Sequence, residues 1–231
     1  TTAAGAEGDD VVSENTFADM FPCMFHALFN VTGSAARELA ALERAASHRP
    51  LVCAQLRMGK GQERGWKDTE SFLLPHNLER AAQVVTDAVA AVRERVLIDP
   101  QADNNNQFGL FVTSDATTSL VFVRDYVTAH APNVQLIASV DELARASFHA
   151  TESPPDLLAL AEPVIIAHFL MLRHCDAVVV TERSGFGRLG TWLNLGTPFT
   201  PRELVRRRAL VLLRGSGEAR SFLPESRWSR A

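Results

Sequence analysis

Cysteine is scarce in this sequence, with three residues among 231, and they lie far apart at Cys23, Cys53 and Cys175. Zinc sites usually need ligands paired a few residues apart, and disulfide-rich folds need many closely spaced cysteines. The spacing here therefore predicts neither a metal pair nor a disulfide framework. In an oxidising compartment, one of the three thiols would be left over.

Long hydrophobic runs are also absent. The longest apolar stretch, from Pro163 to Leu172, contains His168 and is far too short to cross a bilayer. The chain starts at Thr1 and shows no basic segment followed by an apolar one, as a secretory signal would require. We expect the chain to be a fragment or processed product of a longer protein, so that membrane attachment would come only from a segment outside it.

Positive charge is not in excess. The 27 aspartates and glutamates outnumber the 23 lysines and arginines, which gives a formal net charge of −4. Binding to nucleic acid through its phosphates needs a basic surface, so nucleic acid is not an expected partner. Hydrophobic residues make up 46% of the chain and charged residues 22%, a composition typical of a globular domain rather than a disordered chain.

Short apolar runs alternate with longer segments of helical periodicity from residue 50 onward. Val, Leu and Ile dominate the short runs, as in strands buried on both faces of a sheet. The predicted strands cover residues 51–56, 108–114, 134–139 and 176–182, with a last strand or tail at 208–215. The predicted helices cover residues 76–96, 119–131, 157–175 and 185–195. Because this alternation forms right-handed βαβ units, it predicts an α/β fold with a doubly wound parallel sheet.

Three parts of the chain follow from this interpretation. Residues 1–49 form a lead-in and a helix, either a linker or the remnant of a preceding domain. Residues 50–215 form the α/β domain, which we expect to bind a nucleotide. Residues 216–231 form a C-terminal tail.

Arg57 follows the first predicted strand, with Gly59 and Gly61 close behind it. Ligands of open parallel sheets bind beyond the carboxyl ends of the strands, so this position is a candidate site. An arginine offers a planar, permanently charged fork to phosphate oxygens, and glycines let the backbone pass close to a ligand. The alternative is an ordinary surface turn with a solvated arginine.

Asp115 follows the second predicted strand, directly before a helix. Its carboxylate can accept hydrogen bonds from ribose hydroxyls or from the edge of a base. It can equally cap the N-terminus of the helix, which is the common role of Ser and Asp at such a junction. The sequence leaves both roles open.

Ser184 and Gly185 form a turn between the fourth predicted strand and a helix. N–H groups at a helix N-terminus bind phosphate, Ser184 adds a hydroxyl, and Arg183 or Arg188 adds positive charge. The sequence GFGRLG here is not a dinucleotide fingerprint, because it follows the fourth strand rather than the first and lacks the required acidic residue. The turn is therefore a candidate phosphate site only.

Three segments, taken in order, resemble the fucosyltransferases that use GDP-fucose, a group that includes α1,6-fucosyltransferases, their bacterial nodulation relatives and protein O-fucosyltransferases. LVCAQLRMGK resembles the first strand end of that family, GLFVTSDATTSLVFVRDYV its strand–Asp–helix block, and PVIIAHFLMLRHCDAVVVTERSGFGRLGTWLN its last block. The resemblance covers roughly residues 50–196. It implies the C-terminal, donor-binding half of a GT-B-type glycosyltransferase with a Rossmann-like fold, the acceptor half lying before residue 1.

The resemblance also implies roles for individual residues. Arg57 matches the arginine that holds the donor β-phosphate, and Asp115 matches the carboxylate that reads guanine or ribose. The remaining implied donor-binding positions are Gln55, Ser184, Gly185 and Arg188. Glu63, in the stretch after Arg57, is our candidate for the base that activates the acceptor hydroxyl.

The implied reaction is an inverting transfer of fucose from GDP-fucose to a hydroxyl of a glycan or glycoprotein, with no cofactor and no required metal. The implied location is the Golgi or endoplasmic reticulum lumen in a longer parent protein, or the cytoplasm for a bacterial-type enzyme. Two alternatives stay open: a GT-B glycosyltransferase with another sugar nucleotide, and a non-catalytic module that binds a glycan or protein. Met58 stands where the α1,6 enzymes have a second Arg, and Lys60 stands where an Asp is usual; both departures favour the second alternative.

Overall fold

Strands of one sheet form the centre of the fold in the computed structural model. The structure describes residues 21, 24, 25, 27–46, 49–58, 73, 75–98, 108–138, 155–182, 184–195, 209–213 and 219–222. Within these residues the sheet contains β1 (Leu51–Leu56), β2 (Phe108–Ser114), β3 (Val134–Leu136), β4 (Ala177–Thr181), β5 (Ala209–Leu213) and β6 (Ala219–Phe222). The strands lie in the order β3-β2-β1-β4-β5-β6; β1 to β5 run parallel, and β6 runs antiparallel to β5. This confirms the predicted parallel sheet.

The strand sequences explain why the sheet lies inside. Every residue of β1, β2 and β4 is buried. A parallel sheet covered on both faces needs apolar residues at consecutive positions, and runs such as AVVVT in β4 meet that need. Burying one Val or Leu side chain contributes about 1.5–3 kcal/mol, so these runs stabilise the sheet strongly.

Helices cover both faces of the sheet. They are α1 (Gly33–Ala46), α2 (Leu78–Ile98), α3 (Thr117–His130), α4 (Pro155–Met171) and α5 (Gly185–Leu195). Neighbouring residues of a strand point to opposite faces. Accordingly, Ser114 bonds Ser119 of α3 on one face, and Thr113 bonds His168 of α4 on the other. Because α2 packs beside α3, and α1 and α5 pack beside α4, the sheet is doubly wound as predicted.

Some element bounds differ from the predicted ones. The third strand ends at Leu136 rather than at residue 139, and a 3-10 turn at Leu172–His174 follows α4. The strand β6 lies within residues 216–231, which the sequence pattern assigns to a tail. The pattern misses this strand because four residues with one large apolar side chain show no recognisable alternation. The division of the chain at residues 49 and 215 stays a prediction. No helix in the described part of the chain is both long enough and apolar enough to cross a bilayer.

Cys53 and Cys175 form a disulfide, so the prediction that the cysteines form no disulfide framework is wrong. Cys53 lies in β1 and Cys175 shortly before the neighbouring strand β4, and their Cα atoms are 5.8 Å apart. Both side chains are fully buried. The pairing is hidden in the sequence because 122 positions separate the two cysteines, and only the alignment of β1 beside β4 brings them together.

Candidate functional site

The order of the strands changes direction at β1. The chain adds β2 and β3 on one side of β1, and later adds β4 and β5 on the other. In sheets of this kind, the loops that follow the two central strands leave in opposite directions, and ligands bind between them at the carboxyl edge. Leu56 and Thr181 are the last strand residues on the two sides of this switch point.

Thr181 joins the two sides of the switch point by hydrogen bonds. The backbone N–H of Arg57 donates to Oγ1 of Thr181 at 2.9 Å, and this hydroxyl donates to the carbonyl oxygen of Gln55 at 3.3 Å. The N–H of Ser184 donates to the carbonyl oxygen of Thr181 at 3.0 Å. The structure therefore brings Arg57 and the Ser184 turn together. Thr181 is not among the candidate residues found from the sequence. The sequence feature that could have identified it is a hydroxyl residue at the end of an apolar strand, directly before a turn.

Ser184 caps helix α5. Its side chain is buried, and its Oγ accepts the N–H of Gly187 at 3.3 Å. Because α5 begins shortly after the end of β4, the partial positive charge of its N-terminus lies at the carboxyl edge of the sheet. Gly185 is exposed there. Arg188 belongs to the first turn of α5, but its side chain lies outside the described residues, as does the whole of Arg183.

Gln55 packs its side-chain amide beneath the first turn of α5. The residue is 4% exposed, and a Cβ added to Gly187 would lie 2.5 Å from Gln55 Oε1 and would overlap the side chain of Val180. The close approach of α5 to β1 and β4 therefore requires glycine at position 187. Gln55 Oε1 is also the buried side-chain oxygen that lacks a hydrogen-bond partner within the described residues. An unsatisfied buried acceptor is uncommon and costly.

The carboxylate of Asp115 contacts Arg57 from the side of β2. Its Oδ1 accepts the N–H of Met58 at 2.8 Å, and its Oδ2 lies 3.3 Å from Nη1 of Arg57. The Asp115 side chain is 6% exposed and that of Arg57 is 24% exposed. A carboxylate so deeply buried needs partners of this kind, because removing a charge from water is costly.

Asp115 does not cap α3, so that alternative is wrong. The N-cap residue is Ala116, and no side chain caps the helix. The neighbouring Ser114 hydroxyl accepts the N–H of Ala116 at 3.2 Å and pairs with the hydroxyl of Ser119 at 2.6 Å. The physical reason is the pairing of β1 with β2, which brings the backbone of Met58 within reach of the carboxylate.

Two residues considered from the sequence, Glu63 and Lys60, lie outside the described residues. His168 is buried on α4, and its Nδ1 lies 3.2 Å from Thr113 Oγ1. A separate cavity of about 100 Å³ lies between α1, α4 and residues 137–138, with His168 on its wall. Across the ranges that the structure describes, no group of three or more His, Cys, Asp and Glu side chains is arranged to hold a metal ion.

Positive charge and N–H donors flank the switch point. Arg57 supplies a guanidinium after β1, and α5 supplies its N-terminus after β4. Multiply charged anions suit both groups, since phosphate oxygens accept bonds from guanidinium and from helix N–H groups. Each group is therefore chemically suited to phosphate; the described contact of the guanidinium itself is with Asp115, on the β2 side.

Comparison with known proteins gives structural matches only. No family model matches the chain, and no curated protein matches its sequence. Among solved structures, NodZ α1,6-fucosyltransferase co-crystallised with GDP is 14% identical with a TM-score of 0.41, covering 82% of this chain and 46% of that one. Fucosyltransferase NodZ from Bradyrhizobium is 13% identical with a TM-score of 0.42, covering 83% and 48%. NodZ soaked with GDP-fucose is 12% identical with a TM-score of 0.42, covering 84% and 49%. The chain spans about half the length of these proteins.

Proposed function

We propose that this chain is the donor-binding half of a GT-B-type inverting glycosyltransferase that moves fucose from GDP-fucose to a hydroxyl of a glycan or glycoprotein. The observation that carries the proposal is the junction at Thr181, where Arg57 and the Ser184 turn bond the same residue. This junction lies where the strand order changes direction, the usual ligand position in such sheets. The sequence resemblance of three segments to enzymes that use GDP-fucose supports the choice of nucleotide and sugar.

Charge on the leaving group is the main problem that the proposed reaction must solve. The acceptor oxygen attacks the anomeric carbon of fucose, the bond from that carbon to the β-phosphate oxygen breaks, and GDP leaves with added negative charge. Arg57 stabilises this charge; losing one preorganised donor of this type typically costs about 3 kcal/mol. The N–H groups at the start of α5 share the charge. With these groups in place, we propose that the transfer needs no metal.

The other proposed roles rest on place in the sequence for Glu63 and Arg188, and on described contacts or exposure for the other residues. Glu63 accepts the proton of the acceptor hydroxyl, and Arg188 adds charge beside the diphosphate. Gly185 allows the backbone at the start of α5 to approach the phosphates. Ser184 holds that first turn in place through its bond to Gly187. Gln55 supports the turn from below, where its amide packs against Gly187.

We also propose that the chain folds in an oxidising compartment, such as the lumen of the secretory pathway. The buried disulfide between Cys53 and Cys175 supports this proposal. Cytosolic thiols are kept reduced by glutathione and thioredoxin, so a stable buried disulfide is rare there. An enzyme of the bacterial cytoplasm would carry both cysteines as thiols.

Nucleotide binding tests the proposed function. Thermal unfolding is measured with GDP, GDP-fucose, GDP-mannose, UDP and UDP-galactose; a ligand at one hundred times its Kd stabilises the folded state by roughly 2.7 kcal/mol. We expect GDP and GDP-fucose to raise Tm and UDP to leave it unchanged. A rise with UDP-galactose alone would favour another sugar nucleotide. No rise with any nucleotide at millimolar concentration would contradict a donor site and favour a non-catalytic binding module.

A further inference from the structure

We propose that Asp115 is a positioning residue whose carboxylate orients the Arg57 guanidinium toward the diphosphate. This role replaces the one that the sequence resemblance implies, in which Asp115 binds guanine or ribose. The proposal rests on the proposed nucleotide site and concerns what this one carboxylate binds. It makes the ion pair between neighbouring strand ends, rather than Arg57 alone, the unit that recognises the donor phosphates.

Strand register brings the two residues together. Leu56 of β1 is aligned with Ser114 of β2, so the next residues, Arg57 and Asp115, leave the sheet side by side. The two carboxylate oxygens have different partners: Oδ1 accepts the Met58 N–H at 2.8 Å, and Oδ2 contacts Arg57 Nη1 at 3.3 Å. The bond to Met58 fixes the carboxylate with respect to the backbone of the same segment that carries Arg57.

Burial shows which member of the Arg57–Asp115 ion pair a ligand can reach. Asp115 is 6% exposed, so a ribose or a base has little access to its carboxylate, whereas the Arg57 side chain is 24% exposed. A guanidinium carries N–H donors on three nitrogen atoms, so a contact through Nη1 is compatible with donation to phosphate from the same group.

Preorganisation is the benefit of this arrangement. A long arginine side chain has many rotamers, and binding a phosphate normally costs the entropy of ordering them. Because Asp115 already restricts Arg57 in the folded protein, less of that entropy is lost when the diphosphate binds. Removing the carboxylate should therefore weaken binding through Arg57 even though the carboxylate does not touch the ligand.

Asp176 provides a matched control carboxylate at the opposite edge of the sheet. Its Oδ2 accepts the N–H of Leu51 at 2.8 Å, much as Asp115 accepts that of Met58. Asp115→Asn and Asp176→Asn each remove one charge and keep an oxygen that can accept the backbone N–H. We expect Asp176→Asn to leave GDP affinity unchanged.

A double-mutant cycle on GDP affinity tests the proposal. We expect Asp115→Asn to weaken GDP binding roughly tenfold in the wild-type background and by less than about twofold in the Arg57→Ala background. The effects of two substitutions are not additive when the residues act as a unit. Equal losses in both backgrounds would overturn the positioning role. Failure of the wild-type chain to bind GDP would instead refute the proposed function.

Guanosine supplies a second readout, because it has the base and ribose but no phosphate. NMR titration, which measures millimolar affinities, should give the same guanosine affinity for the wild-type chain and for Asp115→Asn. A loss of guanosine affinity as large as the loss for GDP would show that Asp115 reads the nucleoside, and would overturn the proposal. If Asp115→Asn does not fold, Asp115→Glu, which keeps the charge but displaces it, takes its place with the same expectations.

Discussion

The backbone N–H of Arg57 donates to the hydroxyl of Thr181, 2.9 Å away, and so fixes the end of β1 to the end of β4. The same threonine accepts the N–H of Ser184 through its carbonyl oxygen. One residue therefore sets the spacing between the proposed phosphate-binding arginine and the helix that begins after Ser184. The geometry of the site depends on this side chain although it is fully buried.

Thr181→Val removes the hydroxyl and keeps the shape of the side chain. We expect a loss of about 1–2 kcal/mol in the free energy of unfolding, since the Arg57 N–H loses its acceptor, and roughly tenfold weaker GDP binding. Urea unfolding and isothermal titration measure the two effects, and Thr181→Ser should restore both. A folded Val variant with wild-type GDP affinity would contradict the coupling.

Arg57→Ala should abolish fucose transfer and GDP-fucose hydrolysis while the protein stays folded. Loss of a charge-stabilising donor lowers kcat by roughly a hundredfold or more. Arg49→Ala is the matched control, because Arg49 lies before β1 at the opposite edge of the sheet, where its Nη1 donates to Gln135. The assay compares fucose transfer and GDP-fucose hydrolysis by the two variants and the wild-type protein. Wild-type rates for Arg57→Ala would exclude its role at the diphosphate.

Gly187→Ala should destabilise the protein by about 1–3 kcal/mol, the usual cost of forcing an atom into a packed core. The new Cβ would overlap Val180 and Gln55. Gly185→Ala is the control, because its Cβ would meet no atom within 4 Å. Urea unfolding compares the two variants. Equal free energies of unfolding for Gly187→Ala and Gly185→Ala would contradict the close packing of α5 on the sheet.

Gln55→Met replaces the amide by an apolar side chain of similar length. Because Gln55 Oε1 has no hydrogen-bond partner within the described residues, we expect the free energy of unfolding to stay equal or to rise. Urea unfolding of the ligand-free protein is the measurement. A fall of more than about 1 kcal/mol would show that the amide makes a hydrogen bond in the folded protein.

The disulfide predicts a thiol count. The chain has three cysteines, and two of them are paired, so protein denatured in an alkylating reagent without reductant should take up one alkyl group per chain. Reduction should lower the free energy of unfolding by about 2–5 kcal/mol, because a long loop is released. The double variant Cys53→Ala, Cys175→Ala should not respond to reductant. Three free thiols would contradict both the disulfide and the oxidising compartment.

Much of the fold is predictable because hydrophobic periodicity is a local property. The bounds of β1, β2 and α5 agree with the predicted 51–56, 108–114 and 185–195, where apolar runs meet clear polar or glycine boundaries. By contrast, β6 has too few apolar residues to be recognised and forms because β5 offers an edge to pair with.

Part of the candidate site is predictable for a related reason. Arg57, Asp115 and Ser184 each follow an apolar strand, and parallel strands must end at a common edge. The bond from Arg57 to Thr181 and the contact of Gln55 with Gly187 are not predictable, because they depend on which strands are neighbours and on how closely a helix packs above them.

Patterns read along the chain thus established an α/β sheet and three strand ends that carry candidate groups. The assembled sheet alone decided that β1 lies between β2 and β4, that Cys53 pairs with Cys175, and that Asp115 contacts Arg57 rather than capping a helix. Local apolar spacing determines the type of each element. The lateral order of the strands instead depends on packing between segments far apart in sequence, and every cross-strand partner follows from that order.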